Sequence, residues 1–306
     1  MPAMRETPKA MGSRAAIFAS HLVGQRTVVF GARTLLRLRR HPQLVFGATI
    51  LLFFAVVAIG APLIAPSRFD EGDPMLSWRR PDAAHPFGTD SLGRDVLSRL
   101  IYGSRISLVV GVGSMAIATV LGGAFGAISG YVGGATDLVL MRVIDVVLAF
   151  PSLLFILLLS IVFRGGVSSI VLAVGLTRWA PLARIVRAEF LRLRSLEFVH
   201  AARALGASPF RIVLRHIFPN ALASIIVFIT FGIPFAIVVE AALGFIGLGV
   251  SPPTPSWGVM LNEGFSSFRS FPNLVLFPSL AISLTMLGFV AFGNGLQDLL
   301  DPKLRQ

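Results

Sequence analysis

A few ionisable residues stand where side chains could do chemistry. Asp90, Arg94 and Asp95 are close neighbours in a polar segment, and two carboxylates with an arginine could serve an acid–base step or a cation. Two acids offer too few oxygens for a hard cation, and the plainer reading is that they cap and rigidify that segment. Glu240 lies in an apolar stretch, where a carboxylate invites a substrate or proton-pathway role. A structural or gating role beside the glycine-rich run 244–249 is preferred for it. Arg178 is either a pore-facing charge or an arginine that snorkels or pairs between helices. Asp145 follows Arg142 by three residues, so the two can share a helical face and neutralise each other. No nucleophile–base–orienter set is present. The five histidines lack zinc-site spacing, and the absence of cysteine removes thiol and disulfide chemistry. No Gly-x-x-x-x-Gly-Lys-Ser/Thr loop occurs, so the chain is not expected to bind a nucleotide or catalyse a covalent reaction.

The elements that hold these residues belong to a membrane protein. Of 306 residues, 55% are hydrophobic and only 14% are charged, with a mean hydropathy of +0.80. About a quarter of a soluble domain is charged. The charges left here cannot coat a water-facing surface, so lipid must replace water. The net charge of +12 is gathered between apolar runs, which is a topology signal and not a nucleic-acid footprint.

Six spans are expected, near 44–64, 107–129, 138–163, 168–183, 221–239 and 274–292, in an all-α integral membrane protein. Residues 1–43 read as a basic cytoplasmic segment without a cleaved signal peptide, with a surface-lying stretch near 27–32. Residues 65–105 read as a polar outer segment with a short helix near 91–103 capped by Asp90 or Ser91. The glycines of 111–126 suit close helix packing, and Pro151 can kink the third span. An Arg164-Gly-Gly turn closes that span outside. Residues 251–272, with Trp257 as an interfacial anchor or mouth-packing residue, read as an outer loop. The basic segment after span four and the basic N-terminus fall on one side if four crossings separate them, which places both termini in the cytoplasm. Residues 44–303 then form one transmembrane domain and 304–306 a tail.

Residues 197–220 form the cytoplasmic element between spans four and five. Phe198, Ala201, Ala202 and Leu205 recur at helical spacing, with Glu197, His200 and Arg203 on other positions. Gly206 suits a left-handed helix end. Ser208 can cap a second helix with Pro209 in its first turn, whose apolar face is Phe210, Val213, Leu214 and Ile217. Pro219 is expected to interrupt it. The predicted knob either joins two spans or takes force from a soluble partner.

At this point the chain resembles the inner-membrane permeases of bacterial ATP-binding cassette importers, and within them the C-type permease of the dipeptide/oligopeptide/nickel family. The resemblance rests on the ordered blocks 85–95, Ala201-Ala202 with Gly206, 215–220, 240–249 and 252–258, and spans roughly 44–303. His200 stands where the family's coupling motif leads with glutamate. The resemblance implies a six-helix permease in the bacterial plasma (inner) membrane that forms half of a pathway for dipeptides or oligopeptides. A nickel-importing relative, or an ion-coupled secondary transporter, are the alternatives. It further implies a second homologous permease subunit, two cytoplasmic ATPases that bind ATP and Mg, an external solute-binding protein, and no cofactor on this chain. ATPase coupling would fall to Glu197, Phe198, His200, Ala201, Ala202, Arg203, Leu205, Gly206, Ser208 and Pro209.

Overall fold

The computed structural model describes residues 41–163 and 165–300, and these are helical apart from turns and one isolated bridge, Thr89 with Asp95. The N-terminal segment 1–40, Arg164 and the tail 301–306 lie outside the described residues, and with them the stretch at 27–32 and the Arg164 part of the expected turn.

α1 is Pro42–Ile59 and α2 is Val96–Val132. α3 is Gly134–Ala149 and α4 is Ser152–Val162. α5 is Val167–Arg194 and α6 is Glu197–Ala204. α7 is the continuous helix Pro209–Phe245, α8 is Trp257–Phe265 and α9 is Asn273–Leu300. Five of these, α1, α2, α5, α7 and α9, are long and apolar enough to cross a membrane, and α3 with α4 makes a sixth if the bent pair counts as one.

Several boundaries differ from expectation for identifiable reasons. The helix expected at 91–103 is the start of α2, so no separate span begins at Ser107. Its cap is Asp95, whose carboxylate accepts the Ser98 N–H at 2.7 Å, and not Asp90 or Ser91. Asp90 is instead committed to arginines, and Gly93, at φ +72°, turns the chain ahead of the helix. At 37 residues α2 is about 55 Å long, more than the hydrocarbon needs. The third expected span is broken outright: α3 and α4 meet at 88° around Phe150-Pro151, because proline brings no N–H to carry the ladder on.

α5 runs eleven residues past Ala183, through Pro181 and into the basic segment. Pro219 does not interrupt α7. α7 contains a π-turn at Val213–Ile217, and Asn220 Nδ2 donates to the His216 carbonyl at 2.6 Å. The wider π geometry just before Pro219 lets the helix continue through a residue that brings no N–H. The expected loop 251–272 contains α8, capped by the Ser256 hydroxyl on Val259 N–H at 3.3 Å.

Small residues set the closest packing. α2 and α5 form the most extensive helix pair. A Cβ on Gly122 would lie 2.6 Å from the Trp179 carbonyl oxygen, and one on Gly126 2.5 Å from that of Ala183. Without side chains there, the two backbones touch. α1 lies on α9 in the same way, with Gly295 against Leu44 and Gly288 against Ile50.

Candidate functional site

The knob between α5 and α7 is built from helix-end chemistry. α6 stops in a two-bond cap: Gly206 N–H donates to the Arg203 carbonyl at 3.0 Å and Ala207 N–H to that of Ala202 at 3.1 Å. That pattern needs a left-handed residue, and Gly206 sits at φ +79° with nothing near its absent Cβ. The Ser208 hydroxyl then accepts the Arg211 N–H at 3.4 Å, with Pro209 in the first turn.

Only part of the expected apolar faces is core. Val199, Ala202, Ile212 and Ile217 are buried against Leu182, Val186, Phe190 and Leu193 of α5 and Ala221 and Ile225 of α7. Phe198 and Leu205, read as part of one face with Ala202, point elsewhere, and Val199 takes the core position. Leu205 is 88% exposed, Phe210 73% and Phe198 37%. Ala201, Glu197, His200 and Arg203 are also exposed. A knob seated firmly on two long helices therefore leaves large apolar side chains exposed, with the Phe198 ring 6.4 Å from that of His216.

At the other end, Asp90, Arg94 and Asp95 come together but spend their charge on protein. Asp90 takes Arg94 Nε at 2.7 Å and the Arg99 guanidinium. Arg99 also bonds Glu263 of α8 at 2.6 Å, and Arg94 reaches the same carboxylate at 3.2 Å. Asp95, besides capping α2, faces His85 Nδ1 at 3.0 Å. The network ties the 85–95 segment to α2 and α8. Among the described residues no group of His, Asp or Glu could hold a metal ion. Sequence reasoning missed Arg99 and Glu263 as members. Arg99 one turn after a capping acid was a usable signal, whereas Glu263 is brought in only by α8.

The remaining singled-out residues resolve individually. Asp145 does not pair with Arg142. Arg184 of α5 reaches it at 2.5 Å, because α3 lies along α5 there. Nearby, Arg187 grips Asp137 with two bonds of 2.5 and 2.6 Å, and Ser129 joins from α2, a cluster that sequence spacing did not flag. Trp257 is no interfacial anchor. It is fully buried, donates to the Leu100 carbonyl at 3.1 Å and meets Phe54 edge-on at 5.5 Å. Glu240 is fully buried within α7, not at its edge. Ser107 of α2 donates to Oε2 at 3.0 Å, Ser256 lies beside the same carboxyl, and Oε1 has no partner in good geometry. Arg178 makes no ion pair among the described residues. Its guanidinium stands over Phe228 and Phe235 of α7.

Residues 122–306 match the family described as the binding-protein-dependent transport system inner membrane component. Residues 30–81 match the N-terminal TM domain of oligopeptide transport permease C. An oligopeptide transport system permease protein of Bacillus subtilis is 38% identical, over 99% of this chain and all of that one. A dipeptide transport system permease protein of the same organism is 42% identical over 88% of this chain and 85% of its own. A glutathione transport system permease protein of Pectobacterium atrosepticum is 39% identical over 88% and 89%. Among solved structures, a chain of the inward-facing MetNI methionine ABC transporter superposes with a TM-score of 0.54 at 15% identity, covering 66% of this chain and 96% of that one, a likeness of fold alone. By full-length relatedness and by the family match over its larger part, the chain belongs to the binding-protein-dependent transport system inner membrane components.

Proposed function

We infer that this chain is one permease half of an ATP-driven peptide importer. The observation that carries the reading is its relatedness, over 88% of the chain or more, to permeases named for oligopeptides, dipeptides and glutathione. The remainder of the complex would be a second permease, two ATPases that carry ATP and Mg, and an external solute-binding protein. The chain would sit in a bacterial inner membrane as a single 44–303 transmembrane domain, flanked by residues 1–43 and 304–306. Both termini would be cytoplasmic.

The lever gives this reading its mechanism. Force on 197–209 passes into α5 and α7 without a flexible joint, because Val199, Ala202, Ile212 and Ile217 are locked to both helices. Exposed Phe198, Leu205 and Phe210 would fill an apolar groove on an ATPase, and Glu197, His200 and Arg203 would fix the register. Ala201, Ala202, Gly206, Ser208 and Pro209 keep the knob narrow and stiff. Tilting of α5 and α7 would then alternate access to the pathway. The 85–99 network with Glu263, together with the buried packing of Trp257, would hold the external mouth rigid. Glu240, which joins α7 to α2, would serve in gating, and Arg178 would line the pathway.

The test is reconstitution of the complete complex in liposomes. Peptide uptake should require ATP inside and the binding protein outside. Uptake that survives ATP depletion and tracks an ion gradient would defeat the assignment.

A further inference from the structure

Arg178 carries a charge that the chain does not use. It stands eleven residues into α5 from Val167 and six before Arg184, which places it about 16 Å from the one end and about 9 Å from the first basic side chain at the other. That is membrane depth. A snorkelling arginine would lead its head toward an interface. This one is held level instead. Phe228 and Phe235 are two turns apart on one face of α7, and the guanidinium carbon lies 5.1 Å from one ring centroid and 4.5 Å from the other. The cation is clamped between them along the helix. Aromatic faces attract a cation but accept none of its hydrogen bonds in the plane of the guanidinium.

Those bonds are unspent. Nε is buried with no partner, and no carboxylate pairs with Arg178 among the described residues. Glu240, further along α7, is turned to Ser107. The side chain is only half-buried, so one side remains open. A charge at this depth faces a water-filled path or protein, not lipid. An oriented planar fork with free donors in a low-dielectric setting matches one chemical partner best, a carboxylate that can accept two parallel bonds.

We propose that Arg178, clamped by Phe228 and Phe235, is a subsite in the translocation path for the free carboxylate of the transported solute. For a peptide this is the C-terminal carboxylate, so the assignment rests on the peptide-importer reading. The clamp is built on α5 and α7, the two helices that flank the lever. Lever motion would shift the rings against the guanidinium and alter its hold on the carboxylate with each cycle.

The experiment uses the complete importer in proteoliposomes and two probes, tri-alanine and tri-alanine amide. Arg178→Gln should lower uptake of the acid about tenfold, the scale of one lost charge-assisted pair, and leave the amide unchanged. Arg178→Lys should retain most of the acid's advantage, and ATP hydrolysis should remain in all variants. Equal loss of acid and amide, or no loss of either, would overturn the subsite. If Arg178→Gln fails to assemble, Phe235→Leu carries the test: acid uptake should fall about threefold with the amide unaffected, and a parallel fall of both would contradict the proposal. Wild-type complex that imports no peptide would instead bring down the importer reading, and the subsite with it.

Discussion

Arg99 bonds two acids from distant parts of the chain, Asp90 and Glu263, while its own side chain is almost wholly buried. Burying such charges is tolerable only when each has its partner. Asp90→Ala would leave Arg94 and Arg99 short of a counter-charge and should destabilise the complex by about 3–5 kcal/mol, read as a lowered melting temperature of the purified assembly. Replacing exposed Glu71 with alanine should change little, because its bond to Arg68 is on the surface. A second residue-scale expectation concerns pH. The N–H groups of His85 and then Ala84 hold the Asp82 carboxyl below its ordinary 3.8. A depressed carboxylate adds stability above its unfolded value and loses it as pH falls through the folded one. The protection of the 82–88 amides, relative to their intrinsic exchange rate at each pH, should therefore hold down to pH values near 3.8 and fall only below that. At this scale the sequence shows which residues are charged but not their partners. Asp145 looks paired with Arg142 because spacing along one helix is visible, whereas Arg184 arrives from another helix.

Helix ends are easier to read than helix continuity. Gly206, Ser208 and Pro209 announce a tight turn by residue type alone, and the structure places a left-handed glycine, a cap and a first-turn proline there. Prolines mislead in both directions. Pro151 breaks its span, while Pro181 and Pro219 lie inside continuous helices, so the residue type alone does not say which will happen. α8 stays hidden in the sequence because it is short and lies among prolines. Gly206→Val forces a β-branched residue into the left-handed region and should cost about 1–3 kcal/mol of local strain. Gly206→Asn, which tolerates that region, should cost less. Transport per ATP hydrolysed in the reconstituted complex should fall clearly for valine and modestly for asparagine. At Gly126, valine would thrust its Cβ into the Ala183 carbonyl and the Val186 side chain. Separation of α2 from α5 should lower the yield of folded protein, seen as loss of a monodisperse peak in size-exclusion chromatography.

The described residues form a bundle with a different charge character at each end. The lever end carries Arg184, Arg187, Arg192, Arg194, Arg203, Arg211 and Arg215, and the opposite end carries a mixed-sign strap from Arg68 to Arg99. That asymmetry is legible in the amino-acid sequence, since it needs only the order of charges and apolar runs. The burial of Val199, Ala202, Ile212 and Ile217 against α5 and the start of α7, which makes the knob part of the bundle and not a tether, is not legible there. On the proposed function, an ATPase bears on this knob from the cytoplasm. The chain has no cysteine, so Leu205→Cys introduces a single thiol at its most exposed apolar point. In the native membrane, a short bifunctional crosslinker should join that thiol to an ATPase subunit, and an impermeant thiol reagent added outside should leave it unlabelled. Labelling from the outside, with no crosslink to an ATPase, would contradict the account.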